Sequence, residues 1–401
     1  MCKTQAYPYH LNKTKLVNLG AFYTPENYVE IVWNFIEPFI DKKTVILDPA
    51  CGYGVFLTKE TIAKKIGNDI DPKAIEITKT NTKNVDCYNY NFLKVFDRPP
   101  YNISDKDKLI IIGNPPYNDV TSQAKKEVKK LDFEVDEKIK ARDIGISFLR
   151  AFDYLRADYV CVLHPLSYLI KKANFKLLKN FKDNYVLLDG IIISSEYFKS
   201  TSKSSTFPII IALYKRTEKG MNYNYIENFT FKTICGKEFR LKNFEYIGSF
   251  INKYPNKKTK SEQDEILFYT LRDINALKRN RTFIDKPTRN AIKVDVNKLD
   301  YYIYVDVFKD FVECIPYYLG NLDIIINSKL FDKYKSYFIS YALKKYPFLN
   351  KYYQNCKIYS NDKDFILKYF MKLLGEHFIC KNKKEEWKWK FLQLTIPLKK
   401  F

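Results

Sequence analysis

The sequence predicts an α/β protein with a doubly wound, mostly parallel sheet, followed by a second domain. Between about residues 44 and 214, short apolar runs alternate with segments whose apolar residues recur at helical spacing. This alternation is typical of parallel strands joined by helices. After about residue 216 the alternation fades and basic, aromatic-rich segments follow. We therefore place the sheet domain at residues 1–216 and a basic domain, whose fold the pattern does not specify, at 217–401.

The strands are predicted from runs rich in Ile, Val and Leu that end at Gly, Pro or polar residues. They cover residues 44–47, 65–70, 108–113, 159–163, 185–193 and 207–214. Helices are predicted over 55–66 and 142–157, and a third begins at Asp71, which can cap it, with Pro72 at its first position. The serine-rich stretch 194–208 is predicted to be a loop, either a solvated connection or a mobile cover for a site.

Length and charge narrow the class of protein. The chain has 401 residues with 46% hydrophobic and 16% aromatic residues, so it can bury a large core and is not disordered. Its formal net charge is +22. Clustered Lys and Arg favour a polyanionic partner, with nucleic acid as the first candidate. The same bias arises from an AT-rich genome, so charge alone leaves both explanations open.

Cysteine and histidine positions argue against a metal site. The eight cysteines contain no C-x-x-C pair and the three histidines are dispersed, so neither a zinc site nor a disulfide framework is predicted. His164 is expected to be a satisfied residue at a strand end. No run of membrane-spanning length and no apolar leader is present, so we expect a cytoplasmic protein with no membrane and no metal partner.

Two carboxylates follow the first two predicted strands. Asp48 opens the turn DPACGYG, whose small residues let the backbone approach a ligand, and Asp69 lies 21 positions later in GNDIDP. This spacing is where nucleoside-binding sheets carry the acid that accepts ribose hydroxyls. We predict that the two acids flank one ligand, the alternative being ordinary polar strand ends.

The third predicted strand ends in Asn-Pro-Pro-Tyr. The side-chain oxygen of Asn114 and the carbonyl of Pro115 are two uncharged acceptors, which suit the two protons of an exocyclic amino group. Tyr117 offers a flat face on which a base can stack, an interaction of about 1 to 3 kcal/mol per base. We interpret the motif as a socket for an amine on a planar ring; a tight turn with Tyr117 in the core is the alternative.

Taken together and in order, these segments resemble the motifs of gamma-class DNA adenine-N6 methyltransferases of restriction-modification systems. The Tyr-Thr-Pro element ahead of DPACGYG, with NPPY after it and a long basic region last, is that class's order. The resemblance spans about residues 19–216 and rests on LGAFYTPENYVEIVWNFI (19–36), ILDPACGYGVFL (46–57), GNDIDPKAI (67–75), YNFLKVF (90–96), IIGNPPYNDV (111–120) and FPIIIALYKR (207–216).

The resemblance implies S-adenosylmethionine as cofactor, bound on a Rossmann-like methyltransferase sheet. It implies that Tyr23 and Thr24 lie near the methionine moiety, with Asp48, Ala50 and Gly52 at its amino-acid end. It further implies ribose contacts from Asp69, adenine contacts from Ile70, Asn91 and Phe92, and a second aromatic wall around the target base at Phe207. The family usually has Asp where this chain has Asn91, whose oxygen can accept only without charge assistance.

The implied reaction is methyl transfer to N6 of an adenine flipped out of duplex DNA, with Asn114, Pro115 and Tyr117 as its catalytic residues. Double-stranded DNA is the expected partner, and a separately encoded restriction endonuclease is a further candidate. Arg279, Arg281 and Arg289 in the basic region are candidate phosphate clamps or base readers. Methylation of RNA or of a protein glutamine uses the same two acceptors and is the alternative; a catalytically silent nucleic-acid binding module is another.

Overall fold

A computed structural model of the chain describes residues 24–117, 134–198, 206–255 and 265–379. The chain divides into two compact units, residues 1–241 and residues 242–401. The sequence placed this division at 216/217. The first unit continues further because two short strands after residue 230 join its sheet. None of the described helices is long and apolar enough to cross a membrane.

The first unit is built on one sheet to which nine strands of the described residues belong, in the order β3-β2-β1-β4-β5-β7-β6-β8-β9. Strands β1 to β5 run parallel, and β7 is antiparallel to both of its neighbours. The strands are β1 (Thr44–Asp48), β2 (Lys64–Asn68), β3 (Val85–Tyr88), β4 (Lys108–Gly113), β5 (Tyr159–Pro165), β6 (Tyr185–Ser194), β7 (Pro208–Arg216), β8 (Phe231–Thr233) and β9 (Glu238–Phe239).

The predicted α/β class with a mostly parallel sheet is confirmed. All six predicted strands are present, and their ends agree with the prediction to within two residues. The apolar runs of β1 and β4 are buried almost throughout, as expected for central parallel strands. Strand β3 was not predicted because its sequence, VDCY, is only partly buried at the edge of the sheet and forms no apolar run.

Helices join the strands and leave a switch point between β1 and β4. The helices of this unit are α1 (Glu26–Ile36), α2 (Pro72–Asn81), α3 (Ile144–Tyr154), α4 (Ser167–Ile170), α5 (Lys172–Leu177), α6 (Asn180–Asn184) and α7 (Tyr223–Asn228). The crossovers through α2 and α3 proceed in opposite directions from the centre of the sheet. Because such crossovers are right-handed, the two helices cover opposite faces, and ligands bind beyond the strand carboxyl ends at this point.

The helix predicted over 55–66 is wrong. Only a 3₁₀ turn, Val55–Leu57, forms there, and β2 already begins at Lys64. The buried Lys65 ammonium donates to the carbonyl of Leu57 at 2.7 Å and to that of Lys59 at 3.0 Å, so a side chain satisfies the carbonyls that a continuing helix would bond to its own backbone. The helix predicted at Asp71 does form, and the Asp71 carboxylate caps it by accepting from Lys73 N–H at 3.0 Å.

The second unit combines small antiparallel sheets with three longer helices. Its strands are β10 (Glu245–Tyr246), β11 (Leu267–Tyr269), β12 (Phe283–Ile284), β13 (Ala291–Lys293) and β14 (Ile325–Ile326). Its helices are α8 (Ile274–Leu277), α9 (Leu299–Asp310), α10 (Ser328–Lys345) and α11 (Asp362–Leu374). Helix α10 packs on both α9 and α11. Aromatic rings fill the space between them, among them Tyr304, Phe331, Phe338, Tyr369 and Phe370.

Candidate active site

The first acid of the site, Asp48, is the last residue of β1 and is 1% exposed. Its Oδ1 accepts from Ala50 N–H at 3.2 Å, whereas its Oδ2 is buried with no hydrogen-bond partner in the described part of the chain. Burial raises the pKa of this carboxyl well above its usual value, and the nearby Asp69 adds to the effect. Gly113, at the end of β4, packs so closely that a Cβ there would lie 2.6 Å from Asp48 Oδ1.

The second acid, Asp69, faces the same turn. Its Oδ2 accepts from Gly52 N–H at 2.8 Å and its Oδ1 from Asp71 N–H at 2.9 Å. Burial raises the pKa of Asp69, and the two backbone donors oppose that rise. Gly52 has φ +52, a conformation that side chains rarely adopt, and the DPACG turn depends on it. The turn therefore contacts both acids, and their predicted position on either side of one ligand stays a prediction.

Sequence reasoning missed Asn68, which connects the loop after β1 to the loop after β3. It is fully buried at the end of β2. Its amide donates to the carbonyls of Pro49 and Tyr90, both at 3.1 Å, and its oxygen accepts from Tyr90 N–H at 3.0 Å. One side chain thus holds the turn after β1 against the segment after β3. The observation that would have found it is an amide inside an otherwise apolar strand, since such a group needs partners at both of its ends.

The NYNF segment is held in the conformation of a local turn. Asn91 Oδ1 accepts from Leu93 N–H at 3.1 Å, and its Nδ2 donates to the carbonyl of Glu134 at 2.9 Å. Phe92 is 2% exposed and stacks on Phe148 with ring centroids 5.6 Å apart. Both residues support the loop from within the protein, and their predicted contacts with adenine stay predictions.

Asn114 follows β4 and connects the NPPY motif to the N-terminal element. Its Nδ2 donates to the hydroxyl of Thr24 at 3.2 Å, and Thr24 is 2% exposed. Helix α1, which begins two residues after Thr24, packs on β5 and β7 and so brings Thr24 to the carboxyl edge of the sheet. Asn114 Oδ1 is buried and has no hydrogen-bond partner in the described ranges. The structure therefore pairs the amide nitrogen and leaves the acceptor oxygen open.

Tyr117 is more enclosed than its predicted stacking role requires. Pro115 is buried, and the Tyr117 side chain is 7% exposed. Burial raises the pKa of the Tyr117 phenol. The start of α3 lies against it, because a Cβ on Gly145 would come within 3.0 Å of Tyr117 Cβ. A base could stack on this ring only after the ring becomes more exposed, so the stacking role stays a prediction.

The remaining predicted residues lie in three different environments. Ala50 is part of the turn after β1, and Ile70 is 43% exposed, which leaves its side chain accessible to a ligand. Phe207 is half-buried just before β7, at the carboxyl edge of β5, and exchanges backbone and hydroxyl hydrogen bonds with Ser195 at 3.0 Å. Tyr23 lies outside the described residues.

His164 is a satisfied residue at a strand end, as predicted. Its Nε2 lies 2.7 Å from the hydroxyl of Tyr214 and its Nδ1 lies 3.0 Å from the carbonyl of Pro165. Burial lowers its pKa to about 4. The described residues contain no group of His, Cys, Asp or Glu side chains that could hold a metal ion.

The site can therefore bind a polar ligand beyond the ends of β1, β2 and β4. Thr24, Asp48, Asp69 and Asn114 are linked through the DPACG turn, Gly113 and the Thr24 hydrogen bond. The two buried oxygens without partners, on Asp48 and Asn114, are both acceptors. Such atoms cost about 1 to 3 kcal/mol each when unpaired, so this edge is suited to a ligand that carries hydrogen-bond donors.

Several solved structures are similar to this chain over about half its length. A protein from Listeria monocytogenes described as a class I S-adenosylmethionine-dependent methyltransferase is 19% identical, with 50% of this chain and 62% of that protein aligned and a TM-score of 0.37. A protein from Pyrococcus horikoshii described as an RNA methyltransferase is 15% identical, with 50% of this chain and 89% of that protein aligned and a TM-score of 0.35. A modification subunit described for a type I restriction enzyme of Vibrio vulnificus is 14% identical, with 56% of each chain aligned and a TM-score of 0.36.

Likeness at this level says nothing about the substrate of this chain, which spans less than two thirds of the Listeria and Vibrio proteins. No curated protein sequence matches the chain. The model of the N-6 DNA methylase family matches residues 4–175, a range that includes the Tyr-Thr-Pro element, both acids and the NPPY motif. The match confirms the resemblance that the motifs predicted: residues 4–175 are similar to the N-6 DNA methylase family.

Proposed function

We propose that this protein transfers a methyl group from S-adenosylmethionine to N6 of an adenine in duplex DNA, as the modification component of a restriction-modification system. The observation that carries the proposal is the pairing of Asn114. Its amide nitrogen is held by Thr24, and its oxygen is buried without a partner in the described residues. Together with the carbonyl of Pro115, this oxygen offers two acceptors to an amino group with two protons.

The residues around Asp48 fit the cofactor. Asp48 Oδ2 is a buried carboxylate oxygen without a partner in the described chain, and burial raises the pKa of the group. A cationic ammonium, such as that of the cofactor's methionine, is the partner that would compensate this charge. Asp69 already accepts two backbone N–H groups, but a carboxylate has further lone pairs for ribose hydroxyls. The bound cofactor supplies an activated methyl group on a sulfonium.

Catalysis by this chain then rests on positioning. Asn114 and the carbonyl of Pro115 hold the adenine amino nitrogen while it changes from planar to tetrahedral. Because the acceptors are fixed before the reaction, they stabilise the developing charge without reorganisation. No general base is required. The amino group can reach this pocket only if the adenine leaves the helical stack, and the Tyr117 ring, now 7% exposed, must become accessible to support the flipped base.

A labelling experiment tests the proposal. The protein is incubated with S-adenosylmethionine carrying a labelled methyl group and with duplex DNA, RNA or a protein extract in separate reactions. We expect label in DNA alone, as N6-methyladenine, and sequencing of the methylated DNA would reveal the recognition site. Label in RNA or in protein instead would refute the choice of substrate.

A variant pair tests the site itself. Asn114→Ala should abolish methylation, while cofactor affinity measured by calorimetry stays within about threefold of wild type, because Asn114 is proposed to hold the target amino group and not the cofactor. The control is Asn224→Ala, which changes an exposed asparagine in the same unit and should leave both quantities unchanged. Near-normal turnover by Asn114→Ala would refute the assignment.

A further inference from the structure

We propose that Arg279 and Arg281 form a phosphate-binding surface for duplex DNA, and that the buried Asp306 holds their backbone in place for this contact. The inference rests on the proposed function, since it names the part of the second unit that meets the substrate. Between residues 278 and 293 the chain carries six basic side chains and one acidic one. Within that stretch the observations single out the two arginines.

Both arginine side chains are available to a partner. Arg279 and Arg281 are exposed, and neither forms an ion pair with any described residue. The residues that alternate with them, Asn280 and Thr282, are half-buried and 5% exposed respectively. Two guanidinium groups therefore project from a segment whose intervening residues are turned toward the protein.

The backbone between and beside the arginines is fixed at several points. The Lys309 ammonium donates to the carbonyl of Asn280. The Thr282 hydroxyl donates to the Asp306 carboxylate, and the Thr282 carbonyl accepts from Tyr269 N–H at 2.9 Å in the neighbouring strand β11. Each arginine thus lies next to a residue that is bonded to the body of the second unit.

Asp306 is the centre of this attachment. It lies on α9, is fully buried, and accepts from the Tyr346 hydroxyl at 2.9 Å and the Lys345 ammonium at 3.1 Å in addition to Thr282. An isolated buried carboxylate would be strongly destabilising, but here one cation and two hydroxyls compensate it. Since such a group holds its partners in one geometry, the Thr282 contact fixes where the segment runs.

The next residue adds an apolar attachment. Phe283 packs edge to face with Phe268 and with Tyr346, with ring centroids 5.1 Å apart in both pairs. Phe283 and Ile284 also form β12, which pairs with β11. The arginines are therefore presented from an ordered segment, and less conformational entropy is lost when they bind.

Guanidinium groups presented in this way suit phosphate oxygens. Each is planar, permanently charged and able to donate two parallel hydrogen bonds to a phosphate. The basic stretch lies in a chain of net charge +22, which attracts a polyanion. These features favour the phosphate backbone of a duplex as the occupant.

The test measures DNA binding by the full chain, using the fluorescence anisotropy of a labelled duplex over a range of salt concentrations. Arg279→Ala and Arg281→Ala should each weaken binding about tenfold, and the double variant should lower the slope of log K against log salt by about 1.8, which corresponds to two phosphate contacts. The charge-matched control is Lys333→Ala, which removes an exposed cation from α10 without an ion-pair partner in the described residues.

If the arginine variants lose no more affinity for the duplex than Lys333→Ala does, the proposed phosphate-binding surface is refuted. An equal loss of affinity for duplex RNA of the same sequence would overturn the choice of DNA.

The role of Asp306 is tested by Thr282→Val, which leaves every charge in place. It should weaken binding several-fold with the salt slope unchanged, and wild-type affinity would refute the attachment. Circular dichroism checks that this variant folds; if it does not, Thr282→Ala, which removes the same hydroxyl and leaves room for a water molecule, takes its place with the same two outcomes.

Failure of this inference and failure of the proposed function give different results. If the wild type methylates DNA but the arginine variants behave like Lys333→Ala, only the surface is refuted. If the wild type binds DNA through the arginines but places no methyl group on it, the function is refuted and the surface stands.

Discussion

Gly113 is the position at which the structure makes its sharpest prediction. It ends β4, has φ +133, and adjoins Asp48 so closely that a Cβ would lie 2.6 Å from Oδ1, 3.0 Å from Cγ and 3.3 Å from Oδ2. In Gly113→Ala the new methyl group must therefore displace the Asp48 carboxylate or move the strand end. The first movement disturbs the buried acceptor of Asp48, and the second also disturbs that of Asn114, the next residue in the chain.

Two costs add in this variant. A backbone conformation that side chains rarely adopt costs about 1 to 3 kcal/mol, and forcing a methyl group into a filled space costs about 1 to 3 kcal/mol more. We expect the free energy of unfolding to fall by about 2 to 6 kcal/mol in total. Because Asp48 is the group proposed to hold the cofactor's ammonium, we also expect cofactor affinity to fall at least about tenfold, which is 1.4 kcal/mol.

The measurements are urea unfolding and calorimetric titration with S-adenosylmethionine. Gly236→Ala is the matched control, since Gly236 has φ +79 but no atom within 4 Å of a new Cβ. It should lose only the backbone cost, about 1 kcal/mol, and keep its cofactor affinity. If the two variants lose equal stability and bind the cofactor equally well, the close approach of Gly113 and Asp48 has no energetic meaning and the reasoning is refuted.

Three further predictions concern buried polar groups of the site. Thr24→Val removes the acceptor that holds Asn114 Nδ2, so kcat should fall about tenfold, whereas Thr24→Ser should restore kcat; a loss confined to KM would contradict this. Because burial raises the pKa of Asp48, Asp48→Asn should increase the free energy of unfolding at pH 8 by about 1 kcal/mol, and the gain should shrink as pH falls toward 4; a gain independent of pH would refute it. Burial lowers the pKa of His164 from 6.5 to about 4. The free energy of unfolding, measured in urea, should therefore fall by up to about 3 kcal/mol as the pH falls from 6.5 to 4, because only the unfolded state binds the proton in this range. His164→Phe should remove that part of the pH dependence.

Much of the first unit could be predicted because its signals are local. Strands β1 and β4 are continuous apolar runs that end at Asp48 and Gly113. The capped start of α2 is predicted by two adjacent residues, Asp71 and Pro72. Each of these features depends on residues close together in the chain. The order of the motifs then predicted a resemblance to DNA adenine-N6 methyltransferases, which the match of residues 4–175 to the N-6 DNA methylase model confirms.

The predictions that failed depended on distant partners. Residues 55–66 have helical spacing, but Lys65 pairs with β1 and its ammonium takes carbonyls of the preceding turn, so the segment forms no helix. Strand β3 carries no apolar run and forms because β2 lies beside it. In both cases tertiary contacts outweigh the local preference.

The sequence by itself determined the fold class, the resemblance to N-6 DNA methylases, and the presence of two acids and an amide at strand ends. Strand ends and motif order are properties of the chain's linear pattern. Only the tertiary structure decided which groups are paired. It showed that Thr24 accepts from Asn114, that Asn68 joins the loops after β1 and β3, and that Asp306 accepts from Thr282. The physical reason is that hydrogen bonds act over about 3 Å in space, whereas these partners lie between 19 and 90 positions apart in the chain.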